Sequence, residues 1–162
     1  LLKNREQFEI TQVSGTAVFL TTNPGSIPIA LLHNLEYNKV IHETTVILSV
    51  QVEDVPTVMS SGRAEVVPLG NGMFRIMLRY GFTDTPDIPS ALKAINYPGL
   101  MFDTGKTTYF LGRKSIILSP RGTMPLWRKK VYKIMSHMAL DSTSYFNLPQ
   151  NRTVELGGWL EL

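Results

Sequence analysis

The chain has 162 residues, enough for one domain with its own hydrophobic core and no need of disulfide or metal staples. It has no cysteine, which excludes a disulfide framework and thiolate metal sites and fits a reducing compartment. The net charge is only +3, yet no carboxylate falls between Asp103 and Asp141, where Lys106, Arg113, Lys114, Arg121, Arg128, Lys129, Lys130 and Lys133 gather. Such an interval suits either a solvated basic helix face or an anionic partner. No basic start runs into an apolar signal core, and no stretch approaches the ~20 apolar residues that cross a bilayer as a helix.

Residues 1–13 read as a polar linker from a preceding segment, and 14–162 as the domain itself. Thr16–Thr22 is a strand of buried character. Asn23-Pro24-Gly25 is turn chemistry, and Ser26 is placed to cap a helix that has Pro28 in its first turn. That helix carries Ile29, Leu32 and Leu35 at helical spacing and stops at Asn38, which tolerates the left-handed conformation. Thr44–Glu53 is the next strand. The β–α–β order implies parallel strands joined by a right-handed crossover.

Arg63–Leu69 and Met73–Tyr80 flank Gly70-Asn71-Gly72, a strong signal for an antiparallel hairpin. Asp87 is a cap for a short helix with Ala91, Leu92 and Ile95 inward. Thr107–Leu111 and Ser115–Leu118 read as strand, broken at Gly112 and Arg113-Lys114. A helix opening at Pro125 carries Trp127, Val131, Ile134, Met135 and Met138 as one apolar stripe. Arg152–Leu156 is the last strand. The pattern predicts one α/β layered domain, with a mixed sheet of about six strands flanked by about three helices.

The chemistry-bearing motifs are few. His33, His42 and His137 lack a recurrent metal-ligand spacing, so no metal site is assigned. There is no Gly-x-Ser-x-Gly elbow, Walker A loop or Gly-x-Gly-x-x-Gly fingerprint, so no catalytic residue or cofactor is assigned. The first strand–loop–helix unit is the ligand-binding candidate. Asn23, Gly25 and Ser26 lie at the carboxyl end of a parallel strand, where free backbone N–H groups suit phosphate. Asn34 and Lys39 frame the same helix, Asn34 being placed to bond a neighbouring loop. Arg128, Lys129, Lys130 and Lys133 are the candidate anionic-surface contacts. One basic helix with Trp127 on its apolar stripe makes a poor nucleic-acid reader, and no nucleic acid is expected.

Several short segments, in order and spacing, carry a family resemblance. They are Gly15-Thr16-Ala17-Val18-Phe19, Leu31-Leu32-His33-Asn34-Leu35, Asn38-Lys39-Val40, Glu53-Asp54-Val55-Pro56 and Tyr80-Gly81-Phe82. Then follow Asp87-Ile88-Pro89, Tyr109-Phe110-Leu111, Trp127-Arg128, Pro149-Gln150-Asn151-Arg152 and Val154-Glu155-Leu156-Gly157. From about Gly15 onward the chain resembles the cytoplasmic C-terminal domain of KUP-type bacterial potassium uptake permeases, departing at Pro125-Leu126 and Gly158-Trp159. The resemblance implies a non-catalytic regulatory and assembly domain of a potassium ion:proton symporter, on the cytoplasmic side of the bacterial inner membrane. Its implied partners are the membrane domain of the same permease, a second copy of itself in a homodimer, a regulatory nucleotide (a cyclic dinucleotide or adenine nucleotide) and an anionic lipid surface. Transport residues would belong to the membrane part. The alternative is a stand-alone nucleotide-binding α/β protein.

Overall fold

Strand β1 (Thr11–Thr21) sits inside the sheet because its run Ala17-Val18-Phe19-Leu20 is buried on both faces. A continuous apolar run of this kind suits a parallel strand covered on both sides. The structure, a computed structural model, describes residues 10–103, 105–113 and 142–157. Strand β2 (Val40–Glu53) pairs parallel to one side of β1 and β5 (Thr107–Arg113) to the other. Beyond β2 lies the parallel strand β4 (Met73–Gly81), and beyond β5 the parallel strand β6 (Thr153–Gly157). Strand β3 (Ala64–Gly70) closes one edge antiparallel to β4, giving the order β3-β4-β2-β1-β5-β6. This is the mixed six-stranded α/β sheet that the pattern predicts.

Two helices cover opposite faces. Helix α1 (Ile29–Glu36) joins β1 to β2, and α2 (Ile88–Lys93) lies on the connection from β4 to β5. These connections move in opposite directions across the sheet, so right-handed crossovers put their helices on opposite sides. Side chains alternate accordingly. Val18, Val46, Leu48, Ile76, Leu78 and Tyr80 meet Ile88 and Leu92 of α2, with Phe146 and Leu148 beyond the short helix α3 (Ser142–Tyr145). Ala17, Phe19, Ile47 and Phe110 meet Ala30 and Leu31 of α1. Phe19 and Phe110 stack with ring centroids 4.6 Å apart. Each fully buried Val, Leu, Ile or Phe side chain here contributes about 1.5–3 kcal/mol through burial alone.

The α1 face of the sheet becomes polar toward β3. There Arg79 lies 2.7 Å from Glu65 and 3.7 Å from Glu53, and Val67 and Leu69 are exposed. Pro68 is in the edge strand opposite Phe74, with a register shift just after it. Proline has no N–H, which confines it to positions where the strand does not donate to its neighbour.

Several boundaries differ from the sequence reading. β1 starts at Thr11 rather than Thr16, and Gly15, just ahead of the expected start, accompanies a register shift between Val13 and Thr16. β2 starts at Val40 rather than Thr44, because Thr11 and Val40 already pair. β5 continues through Gly112 to Arg113, held by pairing with Leu156 and Gly157. β6 begins at Thr153, after a 3₁₀ turn over Gln150–Arg152. Ser26 does not cap α1; Pro28 stands at that position without a side-chain cap. The inward face of α1 is Ala30, Leu31 and Asn34, while Ile29, Leu32 and Leu35 are only half-buried. The left-handed residue after α1 is Lys39, with φ 55°, not Asn38. Asp87 does cap α2, accepting the Ser90 N–H at 3.0 Å. The expected strand Ser115–Leu118 and the helix opening at Pro125 lie outside the described residues.

The β3–β4 hairpin turns on Asn71 (φ 52°) and Gly72 (φ 74°), the positive pair of a two-residue primed turn. A Cβ on Gly72 would lie 2.1 Å from the Glu43 carbonyl oxygen, whereas one on Gly70 (φ 87°) meets open space. G70A therefore costs about 1 kcal/mol through left-handed strain. G72A costs distinctly more, because the backbone of β2 must also move. Urea unfolding of both variants checks this, and equal losses would show that the clash is relieved without cost.

Candidate functional site

The β1–α1 loop closes on itself. Thr21 Oγ1 accepts the Asn23 N–H at 3.2 Å, Asn23 Oδ1 accepts the Gly25 N–H at 3.0 Å, and the Asn23 carbonyl accepts from both the Ser26 N–H (3.2 Å) and the Ser26 hydroxyl (3.1 Å). Asn side chains characteristically form this local turn. Asn23, Gly25 and Ser26 are thus together at the carboxyl end of β1, with their amides already engaged inside the loop.

Asn34 and Lys39 lie at the other end of α1, beside the start of β2. Asn34 is 5% exposed. Its Nδ2 donates to the Val40 carbonyl at 3.1 Å, and its Oδ1 accepts from Asn38 Nδ2 at 2.8 Å. Lys39 offers its carbonyl to the Thr11 N–H at 2.7 Å. The five loop and helix candidates therefore form two groups at opposite ends of the helix rather than one site. Arg128, Lys129, Lys130 and Lys133 lie outside the described residues, as does His137. His33 stands edge-on to Tyr37 and His42 edge-on to Phe110. Burial pulls the His42 imidazole below its ordinary value, and its Nδ1 is buried without a hydrogen-bond partner. Among the described residues, no three His, Cys, Asp or Glu side chains group to hold a metal ion. No helix among them is long and apolar enough to cross a membrane.

A different place has the shape of a binding site. A cavity of about 550 Å³ opens between the start of β3, the end of β4 and helix α2, lined among others by Arg63, Tyr80, Asp87, Ser90, Asn96 and Tyr97. The size is typical of small-molecule sites. β3 runs against β4, so Arg63, just before β3, comes beside Tyr80 near the end of β4. The Arg63 guanidinium lies over the Tyr80 ring, 4.9 Å from its centroid, a cation–π contact of about 0.5–2 kcal/mol. Its Nη2 donates to the Val58 carbonyl at 2.8 Å and to Asp84 Oδ2 at 3.4 Å. Its Nε is buried without a partner.

The two acids nearby are differently placed. Asp84 Oδ2 accepts the Gly81 N–H at 2.8 Å and the Val58 N–H at 3.1 Å. Those two amides, ahead of Arg63, hold its carboxyl below the ordinary value of 3.8. Burial raises Asp87, but the Ser90 N–H and the Asn147 side chain outweigh it and leave its carboxyl lowered. Burial raises the Tyr80 phenol against the opposing pull of Arg63. Tyr80 stays protonated and donates to the Asp87 carbonyl at 3.3 Å. Sequence reading singled out Asp87 only as a cap and Tyr80 only within a motif. The partnership with Arg63 depends on hairpin register, and Ser60-Ser61-Gly62-Arg63 has no local signature for it.

The family described as "K+ potassium transporter C-terminal domain" matches residues 14–162. The "Probable potassium transport system protein Kup" of Myxococcus xanthus is 46% identical over 151 residues, covering 93% of this chain and 23% of that protein. The "Kup 1" protein of Paramagnetospirillum magneticum is 42% identical over 160 residues, covering 99% and 25%. The Kup protein of Anaeromyxobacter dehalogenans strain 2CP-C is 39% identical over 159 residues, covering 95% and 24%. The chain therefore spans about a quarter of the length of the curated relatives it matches. No solved structure matches it.

Asn34→Ala strands the half-buried Val40 carbonyl and is expected to cost about 1 kcal/mol or more. Ser26→Ala, at a partly exposed turn, should cost less than ~1 kcal/mol, and denaturant midpoints separate the two. Asp84 has a folded pKa below its unfolded value of 3.8, so the stability it supplies is complete above that value and is lost as pH falls through the folded one. D84N should therefore lower the urea midpoint near neutral pH, with the gap to wild type closing in strong acid.

Proposed function

Because the chain belongs to the potassium transporter C-terminal domain family, we propose that it is the cytoplasmic regulatory and assembly domain of a KUP-type potassium ion:proton symporter, with no catalysis of its own. The observation that carries this reading is the match over nearly all of this chain to about a quarter of longer potassium transport proteins. The remaining length of such a protein is where ion passage would take place. The domain acts by favouring one arrangement of the transporter over another, which requires a ligand or partner that binds the two arrangements unequally. The homodimer and the inner-membrane location belong to the same proposal. Contact with anionic headgroups is supported by the carboxylate-free interval that holds Arg128, Lys129, Lys130 and Lys133.

Removal of this domain from the full-length transporter tests the reading. Rubidium uptake is expected to persist while its dependence on cell conditions is lost or the oligomer dissociates. Uptake, response and oligomeric state all unchanged would refute both the regulatory and the assembly role.

A further inference from the structure

The two acids around the α2 cavity each accept hydrogen bonds from the protein's own donors, while among the described residues the base keeps donors to spare. Asp84 is bonded by two backbone amides as well as by Arg63, and Asp87 by the Ser90 amide and the Asn147 side chain. Among the described residues, both hydrogen bonds of the Arg63 guanidinium leave from Nη2, and Nε has none. A guanidinium carries five N–H donors and no acceptor, and its flat fork matches carboxylate and phosphate oxygens. The Val58 carbonyl and the Tyr80 ring fix its position, so little side-chain freedom is left to lose on binding. Ser60, Ser61, Ser90 and Asn96 add hydroxyl and amide groups around the same space, with the Tyr97 ring beside them.

We infer that the cavity between β3, β4 and α2 is a binding site for a small organic oxyanion, a carboxylate or a phosphate ester, held by Arg63. The site joins the hairpin edge of the sheet to α2. A ligand there adds a polar tie between the hairpin edge and α2, beside the apolar packing of Ala64 and Val66 in the cluster that holds Ile88 and Leu92. The inference rests on the regulatory reading for its biological meaning but not for its test, which reads binding to this chain directly.

Isothermal titration calorimetry of the 162-residue chain with AMP, succinate, inorganic phosphate and neutral adenosine tests it. AMP or succinate should bind, adenosine should not, and the better of the two acids identifies the oxyanion source. Binding of inorganic phosphate alone would mean a site for the ion and no organic ligand, which overturns the proposal. R63Q should weaken binding by about tenfold or more, the usual loss with a charged hydrogen bond. Ala94→Phe keeps Arg63 but fills the cavity, so it should abolish binding with the circular dichroism spectrum unchanged. It decides the matter if R63Q fails to fold. No binding of any acid at millimolar concentration, or binding that survives A94F, overturns the proposal. Unregulated uptake in the transporter alongside intact binding here would count against the regulatory role and leave the site standing.

Discussion

The double burial of β1 is the constraint from which the rest of the fold follows. Ala17 and Phe19 face one side, Val18 and Leu20 the other, and none of the four is more than 8% exposed. A strand like this needs a neighbour on each edge and a cover on each face. Both neighbours, β2 and β5, are parallel to it, and parallel neighbours require crossovers. Right-handed crossovers in opposite directions supply the two covers, α1 and α2. With α2 drawn over the middle of its face by Ile88 and Leu92, the corner above β3 and the end of β4 is left for the Arg63 cavity.

Much of this arrangement is legible in the sequence. The β-branched runs, the Asn71-Gly72 hairpin and the Asp87 cap each state their structure within a few residues. Two of the boundaries that go astray do so at glycines. Gly15 and Gly112 read locally as ends of strands, yet each sits inside one, because pairing with β2 and β6 outweighs the weak intrinsic preference of a single residue. The α1 face is read one position off for a related reason. Spacing by hydrophobicity places Ile29, Leu32 and Leu35 inward. The turn into β2 instead draws Asn34 under the sheet edge, where it satisfies the Val40 carbonyl, and Ala30 and Leu31 rotate in with it.

The candidate site is less legible. A strand-to-helix loop announces itself by its turn residues, but whether its amides are free depends on where three side chains point. Thr21, Asn23 and Ser26 point back into the loop. The Arg63 cavity draws its lining from three stretches, 60–66, 80–87 and 90–97, which meet only after the hairpin has paired and α2 has docked. No single stretch holds enough of it to be recognised. The bond from the Val58 amide to Asp84 is a matter of tertiary distance as well.

The proline in β3 has a consequence for how the sheet ends. The Arg79 N–H donates to the Arg63 carbonyl at 2.7 Å, so by alternation Glu65 and Val67 face β4 with their backbone groups, while Ala64, Val66 and Pro68 turn theirs outward. The last of those outward positions has nothing to donate, and the register with β4 shifts immediately beyond it. The sheet is thereby given a terminus on one flank. Any strand added at β3 finds a shortened template there, because the chain's own covalent chemistry withholds a donor at Pro68.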